Sequence, residues 1–393
     1  MIKSVLIVLK QLNFGGSERY AINLANALIN NNISVILVAG QGPYASHISP
    51  KIKLFFAPIS RSRQNKQIAE KIIFDIAKKY KPQLIHAQCR NSLLCCQLAR
   101  RVFQIPVISH EHLAYKASEY AFVVNELNSN CDIVITIAPY LAKRLIRNGL
   151  KKTRVKIVLN GINLNNFTSI TNEERIETRN SLNLTSYNRV ILCLSRIVPG
   201  KGIEKLVDAF KIVCKRIPSA RLIIAGDDEW GDTKAKIEEK IMKSNLSGKV
   251  LIYPAHFDIR KFHSAADVFC YPPINRGMAV MEAMASELPI VAKRSLTKPF
   301  VVEHNIHGLL LQTDKVGELA DQLTILLRKK ALARQMGRAA RQRIKEKFNL
   351  DDVIRITLKI YQQAIKANES LHTEKPVCFS TVTRNYLLST QET

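Results

Sequence analysis

The stretch SVLIVLKQLNFGGSERYAINLANAL, residues 4–28, joins an apolar run to a glycine pair and then to an amphipathic segment. The apolar run is far shorter than the roughly 20 residues that span a bilayer, and it ends at Lys10 without a small-residue cleavage site. We therefore predict a buried strand, a glycine turn and a helix. This succession is typical of a parallel α/β sheet.

The same alternation of apolar runs and amphipathic stretches continues to VKIVLNG (155–161) and restarts from RVILCLSR (189–196) to LPIVAKR (288–294). It predicts an α/β protein with two doubly wound parallel sheets in tandem. The polar stretch between them, NLNNFTSITNEERIETRN (163–180), is predicted to be the linker. The predicted domains are 1–168 and 169–350, followed by a helix at 351–371 that packs back on the first domain and a disordered tail at 372–393.

Composition limits the classes of function. The chain has 393 residues, and its 59 Lys and Arg against 32 Asp and Glu give a net charge of +27. Such a charge attracts nucleic acid, acidic lipid or phosphorylated substrates. Nucleic-acid binding is disfavoured because the sequence has no zinc finger, RNP-like motif or basic–aromatic interleaving. Eight cysteines show no CxxC spacing, which predicts a reducing cytoplasm and no zinc site.

Ligands of doubly wound sheets bind at the carboxyl ends of the strands, so the loops after the strands are the candidate sites. Gly15 and Gly16 precede a predicted helix, where they form either a phosphate-binding loop or a simple tight turn. His110 and His112, in PVISHEH, point to the same side of their strand. They either serve a site or hydrogen-bond their neighbours.

Two further loops carry charge. In SRIVPGKGIEKLVDAF, Arg196 and Lys201 flank a Pro–Gly turn before a helix, which predicts a pyrophosphate cradle or a solvated basic loop. In INRGMAVMEAMASELPIVA (274–292), Gly277 permits close backbone approach and Glu282 is the carboxylate that follows it. Glu282 either binds a ligand or lies on the first turn of a helix, where the helix dipole favours a negative charge.

Six motifs in order resemble glycosyltransferase family 4, the retaining group 1 enzymes of the GT-B fold, over about residues 1–366. They are NFGGSERYAINLANAL, VLNGINLNNF, LSRIVPGKGIEKLVDAF, RLIIAGDD, ADVFCYPP and GMAVMEAMASELPIVA. The resemblance implies two Rossmann-like domains facing a cleft, a nucleotide-sugar donor held mainly by the second domain and an acceptor held by the first. It implies no metal and no other cofactor.

The resemblance also implies roles for single residues. Arg196 and Lys201 correspond to the basic pair that neutralises the departing diphosphate, and His112 to a histidine near the transferred sugar, with His110 as the alternative. Glu282 corresponds to the second glutamate of an E-x7-E motif, which accepts hydrogen bonds from the ribose hydroxyls. The remaining implied donor contacts are Gly15, Gly16, Asn160 and Gly277.

The sequence departs from the family pattern at three positions. Ile274 stands where the first motif glutamate is expected, Glu287 where a glycine is usual, and Asn163 where an aspartate is usual. Two functions therefore stay open. The first is transfer of a sugar, with retention, to a glycan or glycolipid such as a lipopolysaccharide core. The second is a catalytically impaired GT-B protein that binds a glycan or a partner.

Basic segments in the first half bear on the acceptor. SRSRQNKQ (60–67) and AKRLIRNGLKKTRVK (142–156) indicate either peripheral contact with the anionic inner face of the cytoplasmic membrane or ordinary solvated helix surfaces.

Overall fold

A computed structural model of the protein describes residues 2–168, 170–228, 231–274, 277–294 and 301–373. The chain forms two compact units: unit 1 comprises Met1–Gly161 and the chain from Asp351 onward, and unit 2 comprises Ile162–Leu350. The chain passes from unit 1 to unit 2 between residues 161 and 162, seven residues before the predicted boundary at 168/169. The reason is that Ile162 pairs within unit 2, where its amide donates to the Phe348 carbonyl at 2.8 Å. Of the predicted tail, residues 374–393 lie outside the described residues.

Unit 1 contains a sheet of seven described parallel strands in the order β3-β2-β1-β4-β5-β6-β7. The strands are β1 Ser4–Leu9, β2 Ser34–Ala39, β3 Lys53–Phe56, β4 Leu84–Ala87, β5 Val107–Glu111, β6 Ile133–Thr136 and β7 Val155–Ile157. Strands β1 and β2 are apolar after their first serine because helices cover both faces of a doubly wound sheet, whereas β4 and β5 also carry buried polar residues. The switch in strand order lies between β1 and β4.

Helices of unit 1 pack on this sheet. They are α1 Gly16–Asn30, α2 Arg63–Tyr80, α3 Arg90–Cys95, α4 Gln97–Phe103, α5 Tyr120–Asn130, α6 Pro139–Arg147 and the last of the described helices, α14 Leu350–Thr373. From Asp351 onward α14 belongs to unit 1, where Tyr361 is fully buried and the Asn368 amide donates to the Gln104 carbonyl.

Unit 2 contains a sheet of six described parallel strands in the order β10-β9-β8-β11-β12-β13. The strands are β8 Arg189–Leu194, β9 Ala220–Ala225, β10 Val250–Tyr253, β11 Val268–Ile274, β12 Ile290–Lys293 and β13 Gly308–Leu311. Its order reverses between β8 and β11, which is the same switch that unit 1 shows between β1 and β4. The predicted tandem of two doubly wound sheets is confirmed.

The helices of unit 2 are α7 Asn172–Ser181, α8 Ile203–Arg216, α9 Thr233–Lys243, α10 Arg260–Ala265, α11 Met278–Ala285, α12 Val316–Arg328 and α13 Lys330–Lys347. Helix α7 corrects the predicted linker at 163–180. The Thr171 hydroxyl caps α7 by accepting a hydrogen bond from the Glu174 amide. Arg175 and Arg179 of the same helix both bind Asp267. The segment is polar because arginines, and not an apolar face, attach it to the unit.

Asp267 also accepts a hydrogen bond from the Val190 amide at 2.8 Å, at the amino end of β8. Asp132 has the same arrangement in unit 1, where it accepts from Arg100 and from the Val107 amide of β5. In both units an aspartate before one strand therefore fixes the amino end of the neighbouring strand. The candidate sites lie at the other ends of these strands, the carboxyl ends.

Candidate functional site

The loop after β8 carries Arg196 and Lys201 at the strand-order switch of unit 2. Arg196 is exposed and Lys201 is partly exposed. The turn between them closes with a hydrogen bond of 3.3 Å from the Lys201 amide to the Val198 carbonyl, and Gly200 has a φ of +81° there. Gly202, with a φ of +73°, precedes the first residue of α8. The predicted Pro–Gly turn thus places both cations beside the beginning of a 14-residue helix.

Close packing holds this loop in position. A Cβ atom on Gly226, after β9, would lie 1.9 Å from the Ser195 carbonyl oxygen, and one on Gly202 would lie 2.8 Å from Cβ of Pro272 in β11. The Ile197 amide also donates to the Asp227 carbonyl at 2.8 Å. The loops at the carboxyl ends of β8, β9 and β11 are therefore in contact, and the backbone under Arg196 and Lys201 is fixed by its neighbours.

Glu282 lies in the middle of α11, and its side chain is only 3% exposed. The helix begins at Met278 and has no acidic residue in its first turn, so the alternative prediction of a first-turn helix-dipole residue is wrong. All the buried neighbours within α11 are apolar: Met278, Val280, Met281, Ala283, Met284 and Ala285. A carboxylate is seldom buried unless it is bound by polar groups.

Gly277 precedes α11 with a φ of +131° and is exposed. A Cβ atom there would come no nearer than 3.7 Å to the Tyr271 hydroxyl, so its conformation, and not crowding, favours glycine. One of the departures from the family pattern is also visible in the backbone: Glu287 has a φ of +61°, a conformation that glycine adopts without cost. Asn163 caps a short turn by accepting from the Asn165 amide. Ile274 ends β11 opposite Lys293, and the placement of its side chain is outside the described part.

In unit 1 the glycine pair begins α1. Gly15 is the residue before the helix, with an extended backbone, and Gly16 is its first residue. A Cβ atom on Gly15 would lie 2.1 Å from the end of the Glu18 side chain, which Ser17 also contacts at 2.7 Å. The loop therefore lies at the carboxyl end of β1 and at the amino end of a 15-residue helix.

His110 and His112 point to the same side of β5, as predicted. Their rings stack with centroids 4.1 Å apart and an interplanar angle of 15°. His112 is partly exposed, and its Nε2 lies 3.2 Å from Oε1 of Gln88, the residue after β4. His110 is fully buried. The alternative placement of His110 as a direct ligand contact therefore loses support, because only His112 has exposed surface.

Three residues of this region were not singled out in the sequence. Gln88, His86 and Tyr361 are fully buried around the two histidines. The sequence could have indicated Gln88, because this residue directly follows the predicted strand QLIHA and so lies at the carboxyl edge of the sheet. The sequence offers no such indication for Tyr361, because this residue lies 275 residues from its partner His86.

Asn160 lies after β7, just before the chain leaves unit 1. Its amide oxygen is buried and has no hydrogen-bond partner in the described part of the chain. A buried polar atom without a partner costs about 1–3 kcal/mol, and the predicted donor contact of Asn160 stays a prediction.

Within the described residues, no group of three or more His, Cys, Asp or Glu is arranged to hold a metal ion. Nor does any described helix have the length and apolar character needed to cross a membrane. The seven described cysteines are free thiols, and burial raises the pKa of Cys193 and Cys131 each to about 12. Cys193 and Cys131 are therefore part of the core.

Comparison with known proteins adds two family matches in chain order. Residues 14–166 match the family described as Glycosyltransferase Family 4, and residues 174–343 match the family described as Glycosyl transferases group 1. Together the two matches cover the glycine loop, His112, Asn160, the basic pair and Glu282.

An uncharacterized glycosyltransferase of Haemophilus influenzae is 25% identical over 86% of this chain and 94% of its own length. A GDP-mannose-dependent monoacylated alpha-(1-6)-phosphatidylinositol monomannoside mannosyltransferase of Corynebacterium glutamicum is 26% identical, and the match spans 58% of this chain and 61% of that enzyme. Among solved structures, Anabaena HepE in complex with UDP and glucose has a TM-score of 0.80 at 19% identity, over 92% of this chain and 100% of that one. The fold is therefore shared with these proteins.

Proposed function

The chain belongs to the group 1 and family 4 glycosyltransferases of the GT-B fold, and on this premise we propose that it moves a sugar from a nucleotide-sugar donor to a glycan or lipid-linked acceptor of the cell envelope. The observation that carries this proposal is the basic loop of unit 2. Arg196 and Lys201 stand at the switch point between β8 and β11, beside the beginning of α8. A diphosphate is the group that this position and these charges suit best.

The proposed mechanism follows from where charge develops. As the anomeric carbon separates from the nucleoside diphosphate, negative charge collects on the departing phosphate and positive charge on the sugar. Arg196 supplies a planar fork of donors, and Lys201 a compact ammonium, for the negative charge. Donors fixed in advance by the packing of the loop need no reorganisation during the reaction, and each contributes about 3 kcal/mol.

Glu282 is proposed to bind the ribose of the donor. A carboxylate has two acceptor oxygens and so can receive hydrogen bonds from two vicinal hydroxyls. We expect Glu282→Gln to weaken donor binding at least about tenfold, since an amide offers one acceptor oxygen in place of two. Calorimetric titration with the preferred donor measures this, with the exposed Glu346→Gln of α13 as the matched control. Unchanged affinity in Glu282→Gln would remove the assignment.

Retention of the anomeric configuration is proposed, with the acceptor hydroxyl attacking on the side from which the diphosphate departs. The new glycosidic bond forms as the sugar–phosphate bond breaks, and the hydroxyl proton passes to a phosphate oxygen. His112 orients the transferred sugar and is not assigned as a general base. Proton NMR of the first product formed decides between retention and inversion.

The experiment that tests the transferase function is nucleotide release over a panel of UDP-, GDP- and ADP-sugars, with and without lipid-linked glycans extracted from bacterial membranes. Release that depends on both donor and acceptor supports transfer. Binding of an acceptor without any release favours the second candidate, a GT-B protein that only binds a glycan, for which Ile274 is the specific observation.

A peripheral membrane contact is proposed for unit 1. Lys143, Arg144 and Arg147 are exposed along α6, and the Arg144 guanidinium lies 5.6 Å from the centre of the Tyr120 ring at the beginning of α5. Phe122, two residues further on, is 61% exposed. Exposed cations on α6 and an exposed aromatic ring on the adjoining α5 suit an anionic lipid surface. Arg154 of the same basic segment instead binds backbone carbonyls of unit 1, at Asp132 and Asn128.

Vesicle sedimentation tests this contact. The protein should bind vesicles that contain phosphatidylglycerol and be released by salt, because exposed charge is screened within about 8 Å at physiological ionic strength. The double variant Lys143→Glu/Arg147→Glu should lose binding, and Lys329→Glu/Lys330→Glu in unit 2 should retain it. Equal binding of the wild type to neutral vesicles would contradict an electrostatic contact.

A further inference from the structure

Three histidine rings form a row across the carboxyl ends of β4 and β5. His86 stacks on His110 with centroids 5.4 Å apart and an angle of 8°, and His110 stacks on His112 at 4.1 Å and 15°. His86 and His110 have no exposed surface, whereas His112 is partly exposed at the end of the row. We call these three residues the histidine row.

Side chains from two helices hold the histidine row at its side and at its buried end. Tyr20 of α1 contacts His110 and His112 edge-on, with centroids at 4.8 and 5.4 Å. Tyr361 of α14 places its hydroxyl oxygen 2.6 Å from Nδ1 of His86. The histidine row is therefore held by one helix near the start of the sequence, α1, and by another near its end, α14.

Hydrogen bonding does not account for the position of His110. Neither of its ring nitrogens has a hydrogen-bond partner among the described residues. Its described ring contacts are the two parallel faces of His86 and His112 and the edge of Tyr20. His110 consequently acts on His112 through the flat surface of its ring, as offset aromatic pairs do.

We infer that His86 and His110 are positioning residues, which hold the His112 ring in one orientation at the carboxyl edge and connect it to Tyr361 of α14. The inference rests on the proposed role of His112 in orienting the transferred sugar. In this orientation Nε2 of His112 donates to Oε1 of Gln88, because a carbonyl oxygen only accepts. Nδ1 of an uncharged His112 then keeps its lone pair, with which it accepts a hydrogen bond from a hydroxyl group.

The surroundings of the row favour the uncharged rings. Burial lowers the pKa of His86 and of His112 each to about 3, and that of His110 well below its usual value. Among the described residues, Tyr20 and Gln88 face the row, with Tyr361 from α14, while Thr357 of the same helix faces Tyr20. Glu111, between the two histidines in sequence, instead binds Ser109 at 2.8 Å and the Tyr115 hydroxyl. A neutral imidazole suits a position near a sugar that develops positive charge.

The test compares His110→Ala with His110→Phe, which retains a flat ring. We expect kcat to fall about tenfold or more in His110→Ala, with the donor KM nearly unchanged, and to recover to within about threefold of the wild type in His110→Phe. Tyr361→Phe removes one oxygen atom and should lower kcat less. Tyr187→Phe, an 82% exposed tyrosine of unit 2, is the matched control. Equal losses in His110→Ala and His110→Phe would overturn positioning by the ring.

A second measurement does not depend on activity. Histidine-labelled NMR titration of the folded protein reports the tautomer and the pKa of His112. In His110→Ala we expect the pKa of His112 to rise towards the ordinary value of about 6.5 and the acid limb of the kcat profile to move with it. An unchanged tautomer and pKa would overturn the inference. If His112→Ala transfers sugar at the normal rate, the proposed role of His112 fails, while the NMR result still decides whether His110 positions it.

Discussion

At the scale of single residues, Arg196 and Lys201 give the sharpest prediction. Arg196→Ala and Lys201→Ala should each lower kcat about a hundredfold, because each cation acts on charge that grows during the reaction. Initial rates at saturating donor measure this, with circular dichroism as the check on folding. Lys211→Ala, at an exposed position of α8, is the matched control. Near-normal turnover in either site variant would remove that residue from the mechanism.

Ile274 gives a second prediction at this scale. If position 274 lies by the donor sugar, a hydroxyl against isoleucine loses its water without a partner, at about 1–3 kcal/mol. A donor with a deoxy or otherwise less polar edge is then favoured over a plain hexose. Ile274→Glu should shift preference towards fully hydroxylated donors, or activate an inactive wild type. Efficient use of an ordinary hexose by the wild type, unchanged in Ile274→Glu, would show that position 274 does not contact the sugar.

A candidate site residue could be predicted from the sequence where the same short motif contains both the residue and the local structure that positions it. Arg196 and Lys201 stand beside the turn that positions them, and His110 and His112 share a side by strand alternation. The contacts of His86 could not be predicted, because they depend on packing between a strand and a helix 275 residues apart. The burial of Glu282 could not be predicted, since the eight-residue α11 begins at Met278, earlier than a helix with Glu282 in its first turn would begin.

At the scale of elements, Asp267 is expected to stabilise the attachment of α7 to β8 and β11. It accepts from Arg175 at 2.6 Å, from Arg179 at 3.0 Å and from the Val190 amide at 2.8 Å. Asp267→Ala should lower the free energy of unfolding by about 3 kcal/mol, because it leaves the buried Arg179 and the partly buried Arg175 without their carboxylate.

The matched control is Asp314→Ala. Asp314 also pairs with two cations, Lys205 and Lys293, but its side chain is 63% exposed. Solvent screens such pairs, so the loss should stay below about 1 kcal/mol. Urea denaturation compares the two variants. Equal losses would show that Asp267 makes no more than a surface ion pair.

The polar segment 163–180 shows why an element can be missed. Its hydrophobic pattern is too weak to predict a packed helix, so its sequence predicts a linker. The attachment of α7 comes from charged groups whose partner, Asp267, lies far along the chain. Strands were easier to predict, because burial on both faces leaves continuous apolar runs in the sequence.

At the scale of the whole molecule, the histidine row predicts sensitivity to acid. The folded-state pKa of His86 is lowered to about 3, while the unfolded chain has the ordinary value of about 6.5. The unfolded state therefore binds more protons in this window. Stability is fully present above about pH 6.5 and falls as the pH drops towards 3.

At pH 5 the loss from His86 alone is expected to be about 2 kcal/mol. Urea denaturation at pH 7.5 and at pH 5 measures it, and His86→Phe should lose less stability between the two conditions than the wild type. His47→Gln, at an exposed position, should behave as the wild type. The same acid loss in His86→Phe and in the wild type would show that His86 does not cause it.

The return of α14 to unit 1 has a consequence for synthesis on the ribosome. The partners of His86 and Gln104 in α14, Tyr361 and Asn368, are made only after the whole of unit 2 has been translated. Domains ordinarily fold in the order in which they emerge from the ribosome. Here the packing of unit 1 cannot be completed until α14 has been translated. Unit 2 is continuous in sequence and can complete its own contacts first. A nascent chain halted before residue 350 should therefore expose the α14-binding surface of unit 1 to chaperones, even though every strand of that unit has already been made.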